Sequence, residues 1–271
     1  RVAGVPLVPC MKCEDCQKGN YSLCKHYSFI GSREFGSFAE YVVVPEMNAV
    51  PFEDAVSFEQ GAFFEPATVA LHGLKRVPYE GGKTVAILGG GTIGMFVMQW
   101  ANIFGAAKTV VFDISPERLE LGKRLGATHG VNTLDEDFMD QVKDLTDGKG
   151  FDYVFETAGN TITMKMAFEL AANKANVCFV GTPTKELTFS VKEWENMNRK
   201  EFNLTGSWMS YSAPFPGEEW KLVAEYFKNG KLKFDESFIF KKVPLSEIAS
   251  AFEMYKTPGT VKGKILVDSE K

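Results

Sequence analysis

The feature of this sequence that most restricts its fold is a glycine-rich turn at residues 89–94, directly after an apolar run. Val85 to Leu88 is typical of a buried strand, and a stretch with helical character begins at Thr92. In a G-x-G-x-x-G turn the first glycine permits the bend, the second lets backbone N–H groups approach a pyrophosphate, and the third lets the helix pack on the strand. The pattern predicts a dinucleotide site that includes Gly89, Gly91, Thr92, Ile93 and Gly94. An ordinary glycine-rich turn is the alternative.

The residues after this turn continue to alternate between strand and helix. Apolar runs at 109–112, 152–155 and 175–180 are separated by segments with helical periodicity. This order builds a parallel sheet with helices on both faces, so we predict an α/β protein with a doubly wound Rossmann sheet and a second, β-rich domain. The predicted division is 1–66, 67–216 and 217–271, and the last part is expected to return to the first.

Asp113 carries the predicted cofactor preference, because it ends the second strand of the sheet. A carboxylate there accepts hydrogen bonds from the adenosine ribose and repels a 2′-phosphate, which favours NAD over NADP. Arg118 is the nearby cation that argues the other way, and a helix cap is the alternative role for Asp113. Further cofactor contacts are predicted at the ends of the fifth and sixth strands, where simple turns are the alternative: Val180, Thr182 and Ser207.

Four cysteines lie within fifteen residues near the beginning of the chain. Cys10, Cys13, Cys16 and Cys24 have the spacing C-x-x-C-x-x-C-x7-C, which is typical of a tetrahedral zinc site. Two disulfides would need an oxidising compartment, and an iron–sulfur cluster of the bacterial ferredoxin type would need a closer fourth cysteine. With four thiolates no position stays open for substrate, so this Zn²⁺ is predicted to be structural. Cys178, in an apolar run, is predicted to be a small core residue.

Charge and hydropathy exclude several classes of partner. With 30 Lys+Arg against 35 Asp+Glu, the net charge of −5 gives no basic surface for nucleic acid. Residues 84–107 carry no charge, but the glycines, Gln99 and Asn102 favour a strand, a loop and a helix over a membrane span. The chain opens without a signal-like segment, so we expect a cytoplasmic protein whose true start precedes Arg1.

Together with the cysteines and the glycine turn, residues 36–41 (Gly-Ser-Phe-Ala-Glu-Tyr) and the pair Glu65-Pro66 resemble the zinc-containing medium-chain alcohol dehydrogenases. The resemblance covers essentially the whole chain. It implies an incomplete GroES-like catalytic domain beside the Rossmann domain, hydride transfer from a secondary alcohol to NAD, and assembly as a homodimer or homotetramer. Residues 5–10, 29–33 and 206–217 are most similar to members that oxidise galactitol 1-phosphate, so a sugar-alcohol phosphate is the implied small-molecule substrate.

The resemblance places one residue of the family's catalytic zinc site on this chain. The family's metal is held by a Cys, a His-Glu pair and a later Glu-Pro glutamate, and only the last maps here, onto Glu65. It would be a ligand or a partner of zinc-bound water; a carboxylate exposed before a helix is the alternative. The other ligands normally precede Arg1, and the 3 histidines lie in no pattern that replaces them. We therefore expect catalytic zinc to be weak or absent.

Other interpretations of the function stay open at this point. Arg33 and the segment 208–211 are candidates for binding a substrate phosphate, because a guanidinium suits that group. A dehydrogenase for another polyol or diol, such as a sorbitol-like substrate, is one alternative. A non-catalytic NAD-binding fragment stabilised by zinc is a second. A quinone-reductase-like enzyme without zinc is a third, and the four cysteines argue against it.

Overall fold

The computed structural model describes residues 1–257 and 259–269 and divides the chain into two compact units. The first unit combines Arg1–Glu65 with the residues from Ser210 onward, and the second is Pro66–Met209. The second unit ends at Met209 and the first unit resumes at Ser210, seven residues before the boundary predicted at 216/217. The reason is local packing, since Tyr211 and Phe215 contact residues of the cysteine region.

The N-terminal part of the first unit contains short strands paired two by two. Its strands are β1 (Val2–Gly4), β2 (Leu7–Val8), β3 (Ser28–Phe29) and β4 (Ala49–Pro51). β1 pairs antiparallel with β4, and β2 pairs antiparallel with β3. Its helices are α1 (Glu14–Gln17), α2 (Phe58–Ala62) and α3 (Phe64–Lys75), and the last continues into the second unit. A capping box between Ser57 and Gln60 begins α2.

The apolar run Val42–Val44 is not a strand, although its composition is typical of one. Val43 is 95% exposed, and Phe35 and Tyr41 nearby are exposed to a similar degree. A strand needs a neighbouring strand to satisfy its backbone groups, and within the described residues none pairs with this segment.

The second unit is built on a six-stranded sheet in which all pairs are parallel, as predicted. In chain order its elements are β5 (Thr84–Leu88), α4 (Thr92–Ile103), β6 (Lys108–Asp113), α5 (Pro116–Leu125), β7 (His129–Asn132), α6 (Phe138–Thr146), β8 (Phe151–Glu156), α7 (Thr161–Leu170), β9 (Ala171–Phe179), α8 (Val191–Lys200) and β10 (Asn203–Gly206). The spatial order is β10-β9-β8-β5-β6-β7. β5 therefore lies between β6 and β8, where the direction of winding reverses and such sheets bind ligands.

The central strands of the second unit's sheet are mainly apolar because both faces of the sheet are covered there. Val85 to Leu88 in β5 are completely buried, as are Val110 and Val111 in β6. Local signals set the helix ends: α5 begins with Ser115 as N-cap and Pro116 in its first turn, and ends at Gly126, which has φ +116°. The uncharged stretch 84–107 is thus a strand, a loop and a helix.

The chain after Ser210 completes the first unit. Its elements are α9 (Glu218–Lys228), β11 (Ile239–Pro244), α10 (Ile248–Tyr255) and β12 (Lys264–Asp268). β11 and β12 form a parallel pair. A 3-10 turn at Leu245–Glu247 directly precedes α10. In the described part of the chain, no helix combines the length and apolar character that crossing a membrane requires.

Candidate metal and cofactor sites

The four cysteines of the cysteine lobe, defined as residues 10–24, converge on one point. Their Sγ atoms all lie within 4.8 Å of one another. The separation is 3.9 Å between Cys10 and Cys16 and 3.8 Å between Cys13 and Cys24. A tetrahedral ion with Zn–S bonds of about 2.3 Å requires sulfurs about 3.8 Å apart. The geometry therefore fits one zinc ion. It does not fit disulfides, whose sulfurs lie about 2.05 Å apart.

Backbone N–H groups prepare part of this lobe for metal binding. The N–H groups of Lys12 and Cys13 lower the pKa of Cys10 to about 6, and the N–H of Cys16 lowers the pKa of Cys13. Burial instead raises the pKa of Cys16 to about 12. The backbone thus favours the thiolate form of Cys10 and Cys13, and the buried Cys16 would give up its proton when the ion binds. All four positions of a tetrahedral ion would be filled by sulfur, which suits a structural role.

Cys178 stands apart from this lobe, in β9 of the second unit. It is fully buried, and its thiol donates a hydrogen bond of 3.5 Å to the carbonyl oxygen of Gly73. Burial raises its pKa to about 12. The thiol is therefore a packed core group, as the sequence predicts.

The glycine turn in the second unit is shaped by steric limits. Gly89 has φ +100°, and a Cβ on it would lie 2.9 Å from the Cβ of Ala158. A Cβ on Gly94 would lie 1.9 Å from the carbonyl oxygen of Gly89. Gly91 differs, because a Cβ there would meet nothing within 4 Å. The turn itself thus requires Gly89 and Gly94, whereas Gly91 leaves space open at the N-terminus of α4.

That open space is where an anion would bind. Gly91 is the N-cap of α4 and supplies no side-chain cap, so the first-turn N–H groups of Thr92 and Ile93 are available to an outside acceptor. Both side chains are partly buried. Backbone donors and the helix dipole together favour a phosphate group at such a position.

Asp113 lies at the end of β6, beside the glycine turn. Its carboxylate accepts hydrogen bonds from the N–H of Gly90 at 2.7 Å and from the N–H of Ser115 at 2.9 Å. Arg118 lies 3.4 Å from the same carboxylate. The guanidinium therefore neutralises Asp113 in part, and Asp113 is only 8% exposed. The carboxylate is held at the edge where the adenosine ribose of a dinucleotide would lie.

A loop after β8 lies between the two groups of predicted cofactor residues, and sequence reasoning missed it. Glu156 is completely buried, and its carboxylate accepts hydrogen bonds from the N–H groups of Ala158 and Gly159, each at 3.0 Å, and from the hydroxyl of Thr163 at 2.7 Å. Burial is the main cause of its raised pKa. An acidic residue ending an apolar strand, followed three residues later by Gly159, is the signal that could have identified this loop.

The remaining predicted residues extend the carboxyl edge of the same sheet. The N–H of Val180 donates to the carbonyl of Glu156 at 2.8 Å, and the N–H of Ser207 donates to that of Phe179 at 2.9 Å. The carbonyl oxygen of Thr182 lies 2.7 Å from where a Cβ on Gly159 would be. The Ser207 hydroxyl is buried and makes no hydrogen bond within the described structure. The turn, Asp113 and these loops thus line one edge of the sheet.

Glu65 lies in the first turn of α3 and lines a cavity of about 1270 Å³ in the first unit, called here the Glu65 cavity. The cavity's other walls are mainly apolar and include Phe38, Phe64 and Trp220. Burial raises the pKa of Glu65, and the nearby charge of Lys264 partly opposes this. The Glu65 side chain is partly buried, which differs from the solvent-exposed alternative.

Glu65 belongs to no group of three or more potential metal ligands within the described residues. The cysteine lobe is the one group of three or more potential metal ligands found there. Arg33, the candidate phosphate ligand, interacts with Tyr27. Its guanidinium donates a hydrogen bond to the Tyr27 carbonyl at 2.8 Å and lies 3.9 Å from the centre of the Tyr27 ring. Tyr211, at the end of the other candidate segment, is only 2% exposed.

Comparisons with known proteins agree with this geometry. Residues 92–226 match the model of the zinc-binding dehydrogenases, and residues 1–54 match that of the alcohol dehydrogenase GroES-like domain. The galactitol 1-phosphate 5-dehydrogenase of Escherichia coli K12 is 38% identical over 234 residues, 86% of this chain and 68% of that relative. The predicted pairing of a Rossmann sheet with a GroES-like domain is confirmed.

Two solved structures are similar over almost the entire chain. The crystal structure of galactitol-1-phosphate dehydrogenase from Escherichia coli has a TM-score of 0.89 and 36% identity, covering 98% of this chain and 76% of that one. A protein of Sinorhizobium meliloti 1021, described as a zinc-binding dehydrogenase bound to NADP, has a TM-score of 0.85 and 29% identity, with coverage of 98% and 76%. One of the two similar structures is thus described as that of a zinc-binding dehydrogenase, and it holds a dinucleotide.

Proposed function

Because the chain belongs to the zinc-containing alcohol dehydrogenase family, we propose that it oxidises a secondary hydroxyl of a sugar-alcohol phosphate, with NAD as hydride acceptor. The observation that carries the proposal is the edge of the second unit's sheet. There the open N-terminus of α4, the held carboxylate of Asp113 and the loop after Glu156 lie together. Backbone donors suit a pyrophosphate and the carboxylate suits a ribose, as a dinucleotide requires.

The preference for NAD rests on Asp113. A 2′-phosphate would meet a carboxylate whose charge is only partly balanced by Arg118 at 3.4 Å. The Sinorhizobium meliloti protein bound to NADP shows that a similar fold accepts the phosphorylated cofactor, so the preference must come from such local charges. Replacing Asp113 with Ser removes the repulsion and leaves Arg118 free to pair with a phosphate.

The substrate class rests on the similarity to galactitol 1-phosphate 5-dehydrogenase and on residues 206–217. Oxidation of a secondary alcohol removes the hydroxyl proton to give an alkoxide, which transfers hydride to the cofactor and becomes the ketone. A catalytic zinc would supply Lewis-acid stabilisation of the negative charge on that oxygen. On this chain Glu65 is the proposed contributor to that metal site. The cysteine lobe would hold a second, structural zinc and take no part in the chemistry. We propose assembly as a homodimer or homotetramer.

A second candidate function is favoured by one observation. Within the described residues Glu65 belongs to no group of three metal ligands, so an ion there would be bound weakly. The 271-residue chain would then bind NAD and structural zinc without turnover. Metal analysis distinguishes the two, because two tightly bound zinc ions per chain would contradict this candidate.

Calorimetry and kinetics test the main proposal. NAD should bind at least about tenfold more tightly than NADP, and Asp113→Ser should reduce or reverse this ratio, since about 1.4 kcal/mol corresponds to tenfold. Lys123→Ser, on the same helix as Arg118, is a control that should leave the ratio unchanged. With zinc added, galactitol 1-phosphate should be oxidised faster than galactitol or sorbitol. Tighter binding of NADP to the unmodified chain would contradict the cofactor assignment, and faster oxidation of sorbitol would contradict the substrate class.

A further inference from the structure

Two aromatic residues connect the cysteine lobe to the rest of the first unit. The short turn Tyr21–Leu23 lies between the third and fourth cysteines, so an ion bound to Cys16 and Cys24 would hold that turn from both sides. The ring of Tyr21 packs edge-on against Phe215, with ring centres 5.4 Å apart. The position of the turn is thereby tied to the segment 211–216.

The contact is reinforced by two buried hydrogen bonds. The hydroxyl of Ser22 donates to the carbonyl of Tyr211 at 3.4 Å and accepts from the N–H of Tyr211 at 3.2 Å. The cysteine lobe and the segment 211–216 approach each other so closely that a Cβ on Gly19 would lie 2.7 Å from the Cβ of Ala213. A side chain at Gly19 would therefore separate the lobe from the segment.

The segment 211–216 in turn contacts α9. The ring of Tyr211 stacks on Trp220, with ring centres 6.2 Å apart and planes 14° apart. The hydroxyl of Ser212 donates to the buried carboxylate of Glu219 at 2.6 Å. Trp220 lies one α-helical heptad before Phe227, on the same face of α9.

That face of α9 reaches the wall of the Glu65 cavity. Trp220 lines the cavity together with Glu65, and Phe227 stacks on Phe64, the residue before Glu65, at 5.8 Å between ring centres. The charge of Glu65 also contributes, after burial, to the raised pKa of Tyr211. A continuous set of contacts thus runs from the cysteine lobe to Glu65 within one unit.

We propose that Ser22 and Tyr211 are positioning residues through which metal binding in the cysteine lobe sets the geometry of the Glu65 cavity. When zinc holds the turn between Cys16 and Cys24, Ser22 fixes the backbone of Tyr211, and the stacked Tyr211–Trp220 pair fixes α9 and the cavity wall. The metal in the lobe therefore organises the site of the proposed reaction without touching substrate. The structural coupling does not depend on the proposed function. Only its relevance to catalysis rests on that function.

Hydrogen exchange of the 271-residue chain, with one zinc per lobe confirmed by metal analysis, tests the coupling without measuring activity. Removing the metal with a chelator should speed exchange by about fivefold or more at residues 210–217 and 61–66, as expected when buried hydrogen bonds are released. Ser22→Ala keeps all four cysteines, so it should retain the metal and yet show faster exchange at 210–217, with no further change there on metal removal. Ser28→Ala, in β3 outside this set of contacts, is the matched control and should behave as the unmodified chain does.

A spectroscopic measurement covers the case in which metal removal unfolds the first unit. With fluorinated tryptophan, the ¹⁹F resonance of Trp220, assigned by its loss in Trp220→Phe, should shift in zinc-loaded Ser22→Ala, while those of Trp100 and Trp194 in the second unit stay fixed. Ser22→Thr retains a hydroxyl and should restore the original resonance. The proposal is overturned if metal removal speeds exchange only within residues 10–24, or if zinc-loaded Ser22→Ala leaves 210–217 and Trp220 unchanged. A chain that shows the coupling but oxidises no polyol phosphate would contradict the proposed function alone.

Discussion

The two units of this chain differ in how they obtain their stability. The second unit has a six-stranded parallel sheet with both faces covered, and β5 at its centre is completely buried after Thr84. In the part of the first unit that the structure describes there are three two-stranded sheets, and the apolar run at Val42–Val44 is unpaired. Isolated two-stranded sheets are marginal in water, so the first unit depends more on its metal lobe and aromatic contacts.

This contrast predicts that metal removal affects the two units unequally, and it is the largest effect expected. Structural zinc at a four-cysteine site contributes on the order of 10 kcal/mol of binding free energy in small domains. A chelator should therefore lower the melting temperature of the first unit strongly while NAD binding to the second unit persists. Differential scanning calorimetry with and without NAD measures both. Equal destabilisation of the two units would contradict the idea that only the first unit depends on the metal.

The second expected effect concerns Gly94, which the second unit's turn requires. Gly94→Ala places a Cβ 1.9 Å from the carbonyl oxygen of Gly89, so the turn must shift. We expect a loss of about 1–3 kcal/mol of unfolding free energy, together with loss of NAD binding. Urea denaturation and calorimetry give the two values.

Gly91→Ala is the matched control for that substitution. A Cβ at Gly91 meets nothing within 4 Å, so stability should change by less than about 0.5 kcal/mol while NAD binding weakens. If Gly91→Ala and Gly94→Ala lost the same stability, Gly91 would be required by the fold, and the space beside it would not be a phosphate site.

A smaller effect is expected from the buried carboxyl of Glu156, whose pKa is raised mainly by burial. A carboxyl with a raised folded-state pKa stabilises the fold below the unfolded pKa of about 4.3, and this contribution is lost as pH rises through the folded-state value. The unfolding free energy of the original chain should therefore fall, relative to Glu156→Gln, as the pH rises above about 4.3. Urea denaturation across this range measures it, and the opposite slope would contradict the assignment.

The smallest effect is expected at the surface of the first unit. Lys242 donates to Glu59 at 2.6 Å and is the main cause of the lowered pKa of Glu59, about 2. The pair is solvent-accessible, so Lys242→Ala should cost at most about 1 kcal/mol at neutral pH. Because the folded-state pKa is lowered, this difference should disappear as pH falls from about 4.3 towards 2. Lys231→Ala, at an exposed lysine of the same unit, is the control.

The sequence predicted the second unit well because its signals are local. Alternating apolar runs and helical segments are sufficient to indicate a parallel sheet, and the Gly89 to Gly94 pattern marks the strand-to-helix turn beside it. The role of Glu156 was not predicted because it depends on N–H groups of the following loop. These groups reach the Glu156 carboxylate only when that loop folds back.

The first unit was harder to predict because its contacts connect distant parts of the chain. Val42–Val44 has a strand-like composition but lacks a neighbouring strand, and composition does not reveal whether a partner exists. The boundary at Ser210 likewise depends on the packing of Tyr211 on Ser22, which are 189 residues apart.

By itself the sequence determined the parallel sheet, the glycine turn with Asp113, and a four-cysteine lobe whose spacing suits one ion, because each depends on residues close together in the chain. Only the tertiary structure decided that the four sulfurs converge, that Glu156 orders the loop beside the glycine turn, and that Tyr211 links the lobe to the Glu65 cavity. Those outcomes depend on burial and on contacts between remote segments, and the free energy of such contacts exists only once the chain has folded.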